Sequence, residues 1–291
     1  MLYEIENDSI RLAVNSLGAE LCSLFDKQDQ TEHMWQAKPE VWGRHAPILF
    51  PIVGGLKNDH TMINTRSYTM KRHGFLREME PSLPEHSKNQ LLFEFTSNKH
   101  TLAQYPFEFA IRIGYSLEGR QLINSFEVIN KGEQDMPFNL GGHPAFAIPF
   151  RKDETIEDYY LEFEREEQAE RYLLDDKGLF NGSKELVMNN VNSIAITRNL
   201  FDQDAIVFKD LKSTSVSIRS GNHNKSLKVD FEGWPYLGIW AKPAAHYVCI
   251  EPWIGCADSA QSNGQFIEKE KLVKLKAEER FMSSFAISLN P

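Results

Sequence analysis

The chain has little cysteine, no basic excess and no long apolar run, and each shortage excludes something. Its three cysteines, Cys22, Cys249 and Cys256, are odd in number and form no Cys-x-x-Cys pair. A disulfide framework or a zinc site is therefore not expected. The formal net charge of -9 leaves no basic surplus for a phosphate backbone or an anionic bilayer, so neither nucleic acid nor membrane is an expected partner. A few local arginines could still hold a small anion. No segment approaches the roughly 18 apolar residues of a membrane span. The opening residues Met1-Leu2-Tyr3-Glu4-Ile5-Glu6-Asn7-Asp8 show no basic region followed by an apolar run, so no secretory leader is expected and the expected location is the reducing cytoplasm. Signature motifs are missing too. There is no G-x-G-x-x-G and no G-x-x-x-x-G-K-[ST] to cradle a nucleotide, no H-E-x-x-H, and no G-x-S-x-G. Nine histidines are scattered without paired ligand spacing, so neither a metal nor a cofactor is expected.

What the chain does have is alternation. Its 291 residues, 41% hydrophobic and 25% charged, can bury a sizeable core without staples. Apolar residues recur with a period near two over residues 10–14, 20–25, 91–96, 107–116, 122–129, 160–163, 216–219, 227–231, 236–240, 246–250 and 285–289. Turn clusters such as Leu117-Glu118-Gly119-Arg120, Asn130-Lys131-Gly132-Glu133 and Glu232-Gly233-Trp234-Pro235 separate them. The expected fold is all-β, a large antiparallel β-sandwich. Residues 164–174 have helical composition but continue an alternating stretch and read as strand and turn. Residues 269–279 are helix-friendly yet contain Lys-Leu-Val-Lys-Leu-Lys, which alternates. Residues 101–105 read as one helical turn ended by Pro106. No linker, low-complexity tract or short repeat divides the chain, so a single domain over residues 1–291 is expected.

Four segments break the alternation with Gly, Pro and His, and such breaks are where function is expected. They are Gly43-Arg44-His45-Ala46-Pro47-Ile48-Leu49-Phe50-Pro51-Ile52-Val53-Gly54-Gly55, Arg72-His73-Gly74-Phe75-Leu76-Arg77, Asn139-Leu140-Gly141-Gly142-His143-Pro144-Ala145-Phe146 and Ile250-Glu251-Pro252-Trp253-Ile254-Gly255. His143 follows two glycines, which permit close backbone approach, and precedes a proline, which stiffens the chain after it. Glu251 ends an apolar run beside Pro252-Trp253; partial desolvation there raises a carboxyl pKa and makes a better base near neutrality. Each also fits a structural role: a turn histidine, or a strand-end glutamate open to water. His73 and His45 read alone as structural, and Asp204 as a residue starting the apolar strand that follows it.

Taken together, in order, these segments and the stretch from Phe201 to Phe208 resemble the aldose 1-epimerase family, nearest to its LacX-like bacterial branch. The matching motifs include Trp42-Gly43-Arg44-His45-Ala46-Pro47, His73-Gly74-Phe75-Leu76-Arg77, Gly142-His143-Pro144-Ala145-Phe146 and Cys249-Ile250-Glu251-Pro252-Trp253-Ile254-Gly255. The resemblance implies a galactose mutarotase-like supersandwich with a sugar cleft. It implies His143 as general acid and Glu251 as general base, His73 and Asp204 as sugar-binding groups, and Arg44 as the arginine of the first motif. The chain departs from galactose mutarotases, which carry an Asn-Arg pair where it reads Ala46-Pro47-Ile48, so the resemblance bears on the reaction more than on galactose.

The function so implied is interconversion of hexose anomers, with a monosaccharide or sugar phosphate as partner, by a monomer or homodimer. Two alternatives stand beside it. In the first, a hexose 6-phosphate 1-epimerase, Arg44 and Arg77 with Lys71 and Arg72 nearby would hold the phosphate. In the second, a non-catalytic carbohydrate-binding sensor, Trp42, Trp234, Trp240 and Trp253 would bind without turnover. Glycoside hydrolysis fits less well, because it commonly uses two carboxylates and Glu251 alone sits in a suitable segment.

Overall fold

The computed structural model describes residues 1–290, and it is nearly all β. A nine-stranded antiparallel sheet runs Phe180–Ala195, Tyr159–Leu174, Ser215–Ser220, Ser226–Asp230, Arg280–Asn290, Gln121–Asn130, Phe109–Glu118, Gln90–Thr96 and Leu83–His86 in spatial order. A six-stranded sheet runs Ile206–Phe208, Tyr236–Trp240, Tyr247–Ile254, Leu140–Gly142 and Ile48–Leu49, with Ala145–Ala147 also paired to Tyr247–Ile254. The N-terminal strands Leu2–Glu6, Ile10–Asn15, Glu20–Asp26 and Thr31–Glu32 form a four-stranded meander. The antiparallel sandwich expected from the alternation is the fold observed.

One core joins the sheets. It takes Ile48, Leu140, Val248 and Ile250 from the smaller sheet and Phe126, Val128, Phe285 and Ile287 from the larger. Each large side chain so buried contributes roughly 1.5–3 kcal/mol. Contact is close where the sheets meet: a Cβ at Gly142 would lie 2.6 Å from the Phe285 ring. The strand Tyr247–Ile254 is buried at all eight positions. One of its faces packs on the core, and the other forms the floor of a cleft.

The local expectations fared unevenly. Residues 164–174 do lie in a strand, Tyr159–Leu174. The helical turn is the α-helix Lys99–Gln104, capped by the Asn98 side chain, which accepts from the backbone N–H groups of His100 and Thr101. Within residues 269–279, Val273–Leu275 forms a short strand paired with Met136–Phe138, so sheet pairing overrides helical composition there. The 16-residue strand Phe180–Ala195 is the largest element that alternation did not reveal. It is an edge strand with eleven exposed positions, so little of its sequence is constrained to be apolar.

Near the cleft the chain turns through left-handed conformations at His73 (φ 69°) and Gly74 (φ 71°). A Cβ on Gly74 would fall 2.2 Å from the Phe50 carbonyl oxygen, which is backbone and cannot swing aside. Gly74→Ala should therefore destabilise the fold by about 1–3 kcal/mol, read as a lower urea midpoint. An unchanged midpoint would show that this turn relaxes freely.

Candidate active site

The register of one ladder brings His143 and Glu251 together. Gly141 pairs with Trp253 and Ala145 with Cys249. Between those pairs His143 lies across from Glu251, the placement expected of cross-strand neighbours. On the other side of Glu251 the partner is Gly238, which in turn pairs with Val207. Side chains alternate along a strand, so Glu251 and Trp253 face the same way. A Cβ would meet the Trp253 ring at 2.5 Å from Gly238 and at 2.8 Å from Gly141. The indole thus lies flat across two glycines, and any larger residue there would lift it. Val207, Glu251 and His143 form a row across the floor of a cleft of about 230 Å³.

His143 Nε2 and Glu251 Oε2 are 3.2 Å apart. The residues are 8% and 1% exposed, which is dry enough to control their protonation. Burial lowers the His143 pKa to about 3, and the nearby Arg77 charge adds to the effect. Burial raises the Glu251 carboxyl well above its usual range, and the Asp204 carboxylate adds to it. The Trp253 indole N–H approaches Glu251 without completing a hydrogen bond and offsets part of that rise. Burial drives both groups toward their neutral forms, in which the pair carries one titratable proton. Moving that proton from carboxyl to imidazole gives an ion pair of the same total charge.

The His143 imidazole sits in an aromatic box. Trp42 stacks on it at 5.0 Å between centroids and 26° between planes, and Trp240 meets it edge-on at 5.9 Å. His73 meets it edge-on at 5.6 Å. His73 and Gly54 hold each other: the His73 N–H donates to the Gly54 carbonyl at 2.9 Å, and His73 Nδ1 accepts from the Gly54 N–H at 3.2 Å. Burial holds the His73 pKa well below its usual value, so the ring is neutral. With Nδ1 accepting, its proton is on Nε2.

Of the remaining candidates, Asp204 and Arg77 line the cleft and Arg44 does not. Asp204 has a left-handed backbone (φ 67°), and its Oδ1 accepts from the Ala205 N–H at 2.9 Å. Arg77 lies with Nε buried and unpaired. Arg44 sits one layer out, between Glu20 (3.5 Å) and Glu78 (3.8 Å), with its guanidinium donating to the Arg77 carbonyl at 3.3 Å. The segment carrying it is pinned by the buried Glu20 carboxylate, which accepts from the His45 and Ala46 N–H groups at 2.6 and 3.1 Å. Arg72, earlier only a possible phosphate ligand, lines the mouth; its guanidinium donates to the Lys177 carbonyl and lies against Gly178. Leu174, Gly178 and Phe180, at the turn of the long hairpin, complete that wall. Sequence patterning had no signal for them, because a turn and a partly covered edge strand carry no distinctive period.

Four buried polar atoms in this region lack partners: His143 Nδ1, Glu251 Oε2, Arg77 Nε and Trp253 Nε1. Buried polar groups are normally satisfied, so these atoms are open to a polar partner entering the cleft. Single atoms of His143, Cys249 and Glu251 also lie within 4.8 Å of one another, a spacing that could draw in a metal ion.

The family model described as aldose 1-epimerase matches residues 1–273. The chain belongs to the aldose 1-epimerase family. It is 34% identical to the plasmid-encoded protein LacX of Lactococcus lactis subsp. lactis, over 99% of each chain. It is also 34% identical to a galactose mutarotase related enzyme from Lactobacillus acidophilus, with a TM-score of 0.95 over 100% of this chain and 98% of that one. A galactose mutarotase-like protein from Lactobacillus casei superposes with a TM-score of 0.93 at 28% identity, covering 100% of both chains.

The protonation of Glu251 has a consequence for stability. Its folded pKa is raised, so as pH climbs past the unfolded carboxyl value near 4.3 the unfolded chain releases a proton that the folded chain keeps. Stability is lost progressively above that pH, by about 1.4 kcal/mol per unit at most. Glu251→Gln removes this loss. Its stability relative to wild type, from urea unfolding, should be greater at pH 8 than at pH 5. An equal difference at both pH values would show that the carboxyl is ionised in the folded protein.

Proposed function

We propose that this protein interconverts the α and β anomers of a free hexose by acid–base opening and closing of the ring. The observation that carries the reading is the His143–Glu251 pair: an imidazole and a carboxyl, buried and 3.2 Å apart, beside polar atoms that lack partners.

The chemistry needs a proton delivered to the ring oxygen and one removed from the C1 hydroxyl. His143 in its charged form donates to the ring oxygen while Glu251 takes the hydroxyl proton. The bond between C1 and the ring oxygen breaks, and C1 becomes an aldehyde. Rotation about C1–C2 presents the other face, and the roles reverse on closure. The charged pair differs from the neutral pair by the position of one proton, so hydroxyls hydrogen-bonding to the carboxylate favour it. Nothing is oxidised or reduced, so the reaction needs no electron carrier. His73 donates through Nε2 to a sugar oxygen, Asp204 accepts from hydroxyls, and Arg77 donates. Arg44 is a positioning residue acting through the Arg77 backbone. Trp42, Trp240 and Trp253 offer apolar faces suited to sugar C–H surfaces.

His143→Ala and Glu251→Gln should each lower catalysed mutarotation by roughly 10²–10⁴-fold, followed by polarimetry or NMR exchange, with the fold retained. Activity surviving both changes would rule the assignment out. Sugar binding with no rate enhancement in the wild type would select the sensor reading instead.

A sugar phosphate has one observation in its favour: two guanidinium groups, Arg72 and Arg77, line the same cleft, and Arg77 Nε is unpaired. On the reading preferred here, kcat/KM for glucose or galactose exceeds that for the corresponding 6-phosphate, and Arg72→Met changes the free-sugar value less than threefold. A preference for the phosphate that Arg72→Met abolishes would transfer the function to phosphorylated hexoses.

A further inference from the structure

Cys249 has no role in the chemistry above, yet it lies beside it. It stands two residues before Glu251 on one strand, hence on the same face, and pairs with Ala145, two residues after His143. A His143 nitrogen, the Cys249 sulfur and a Glu251 oxygen lie within 4.8 Å of one another, and all three residues are buried. Glu251 Oε2 has no hydrogen-bond partner. Imidazole, thiolate and carboxylate together are a ligand set that zinc accepts, at roughly 2.0–2.3 Å each. Tetrahedral bonds of that length put the ligand atoms about 3.3–3.7 Å apart. His143 Nε2 and Glu251 Oε2 already stand at 3.2 Å, and the Cys249 sulfur, within 4.8 Å of a ligand atom of each, would have to close by at most about 1.5 Å. Two of the three ligands, His143 and Glu251, line the cleft, while Cys249 is buried beneath them.

We propose that His143, Cys249 and Glu251 capture a zinc-class divalent ion, and that the ion and the sugar exclude one another. The exclusion rests on the reading of this cleft as the sugar site; the metal site rests on geometry alone. Charge balances on capture: the ion brings two positive charges, and the thiol and carboxyl each release a proton. The site is that of an inhibitor and not of a resident ion. The ion would occupy the same His143 and Glu251 atoms that move protons in the sugar chemistry.

The test is a Co²⁺ titration of the intact, metal-free protein, followed through the near-ultraviolet band of thiolate-to-cobalt charge transfer. Wild type, Cys22→Ser and Cys256→Ser should develop the band. Cys249→Ser and Cys249→Ala, checked for folding by circular dichroism, should not, and Zn²⁺ affinity by calorimetry should fall at least about tenfold. Glucose at high concentration should reduce the wild-type band. No band in wild type, or a band surviving loss of Cys249, overturns the metal site. A band unmoved by glucose in a protein that mutarotates glucose normally overturns the exclusion. Absence of mutarotation on every hexose would instead mark failure of the sugar reading, while the cobalt band would still decide the metal site.

Discussion

A carboxyl and an imidazole held 3.2 Å apart out of water are the constraint on which the rest of this structure depends. Each group alone is costly to bury. Together they cost less when the pair carries one proton, because then neither the neutral pair nor the ion pair leaves a net charge in the dry floor. The arrangement works only while the register is fixed. A slip of one residue between Tyr247–Ile254 and its partners would turn Glu251 to the opposite face. The short strands on either side of His143 prevent it. Leu140–Gly142 and Ala145–Ala147 both pair with Tyr247–Ile254, and the inward residues of all three are locked in the main core.

The orientation of His143 is achieved in an unusual way. Many functional histidines are aimed by a carboxylate or carbonyl on the second ring nitrogen, which also raises basicity. Here that nitrogen reaches no other residue, and the ring's only backbone contact is with its own residue. The ring is aimed by Pro144 behind it, the Trp42 stack over it and the edges of Trp240 and His73 around it. Packing of this kind fixes direction without adding a charge that would tie up the proton. It fits the lowered pKa of His143, which keeps that proton transferable. The glycine-supported Trp253 extends the same logic along the floor: Gly141 and Gly238 give up side chains so that an indole can lie flat.

The fold class was legible because one face of nearly every strand is apolar and the period-two signal survives in the sequence. Candidate residues were legible for a different reason: His143 and His73 stand next to glycines, and the backbone needs them. Gly74 is left-handed and too close to Phe50 to carry a Cβ. Gly142 is too close to Phe285. What sequence could not reveal is which side chains turn inward from unpatterned chain. Arg44 and Arg77 looked equivalent as basic residues in conspicuous motifs. Only the buried carboxylate of Glu20, more than twenty positions upstream of Arg44, separates the arginine engaged in ion pairs from the one that lines the cleft. Likewise Arg72 reaches the mouth because the hairpin turn at Lys177 and Gly178 comes to meet it.

Glu20 also explains why the first strands matter to a site more than a hundred residues away. Its carboxylate accepts two N–H groups of the His45–Ala46 segment and faces Arg44. Arg44 in turn donates to the backbone of Arg77, and Gly18 packs so closely against that backbone that a Cβ would lie 2.7 Å from the Arg77 Cα. The N-terminal meander is thus a buttress for the rim that carries His73 and Arg77. Loss of Glu20 would leave two backbone donors without their acceptor and Arg44 with one carboxylate partner fewer, loosening the contact that runs from Arg44 to the Arg77 backbone. The floor of the cleft is set by strand register; its rim is set by this chain of contacts from the opposite end of the sequence.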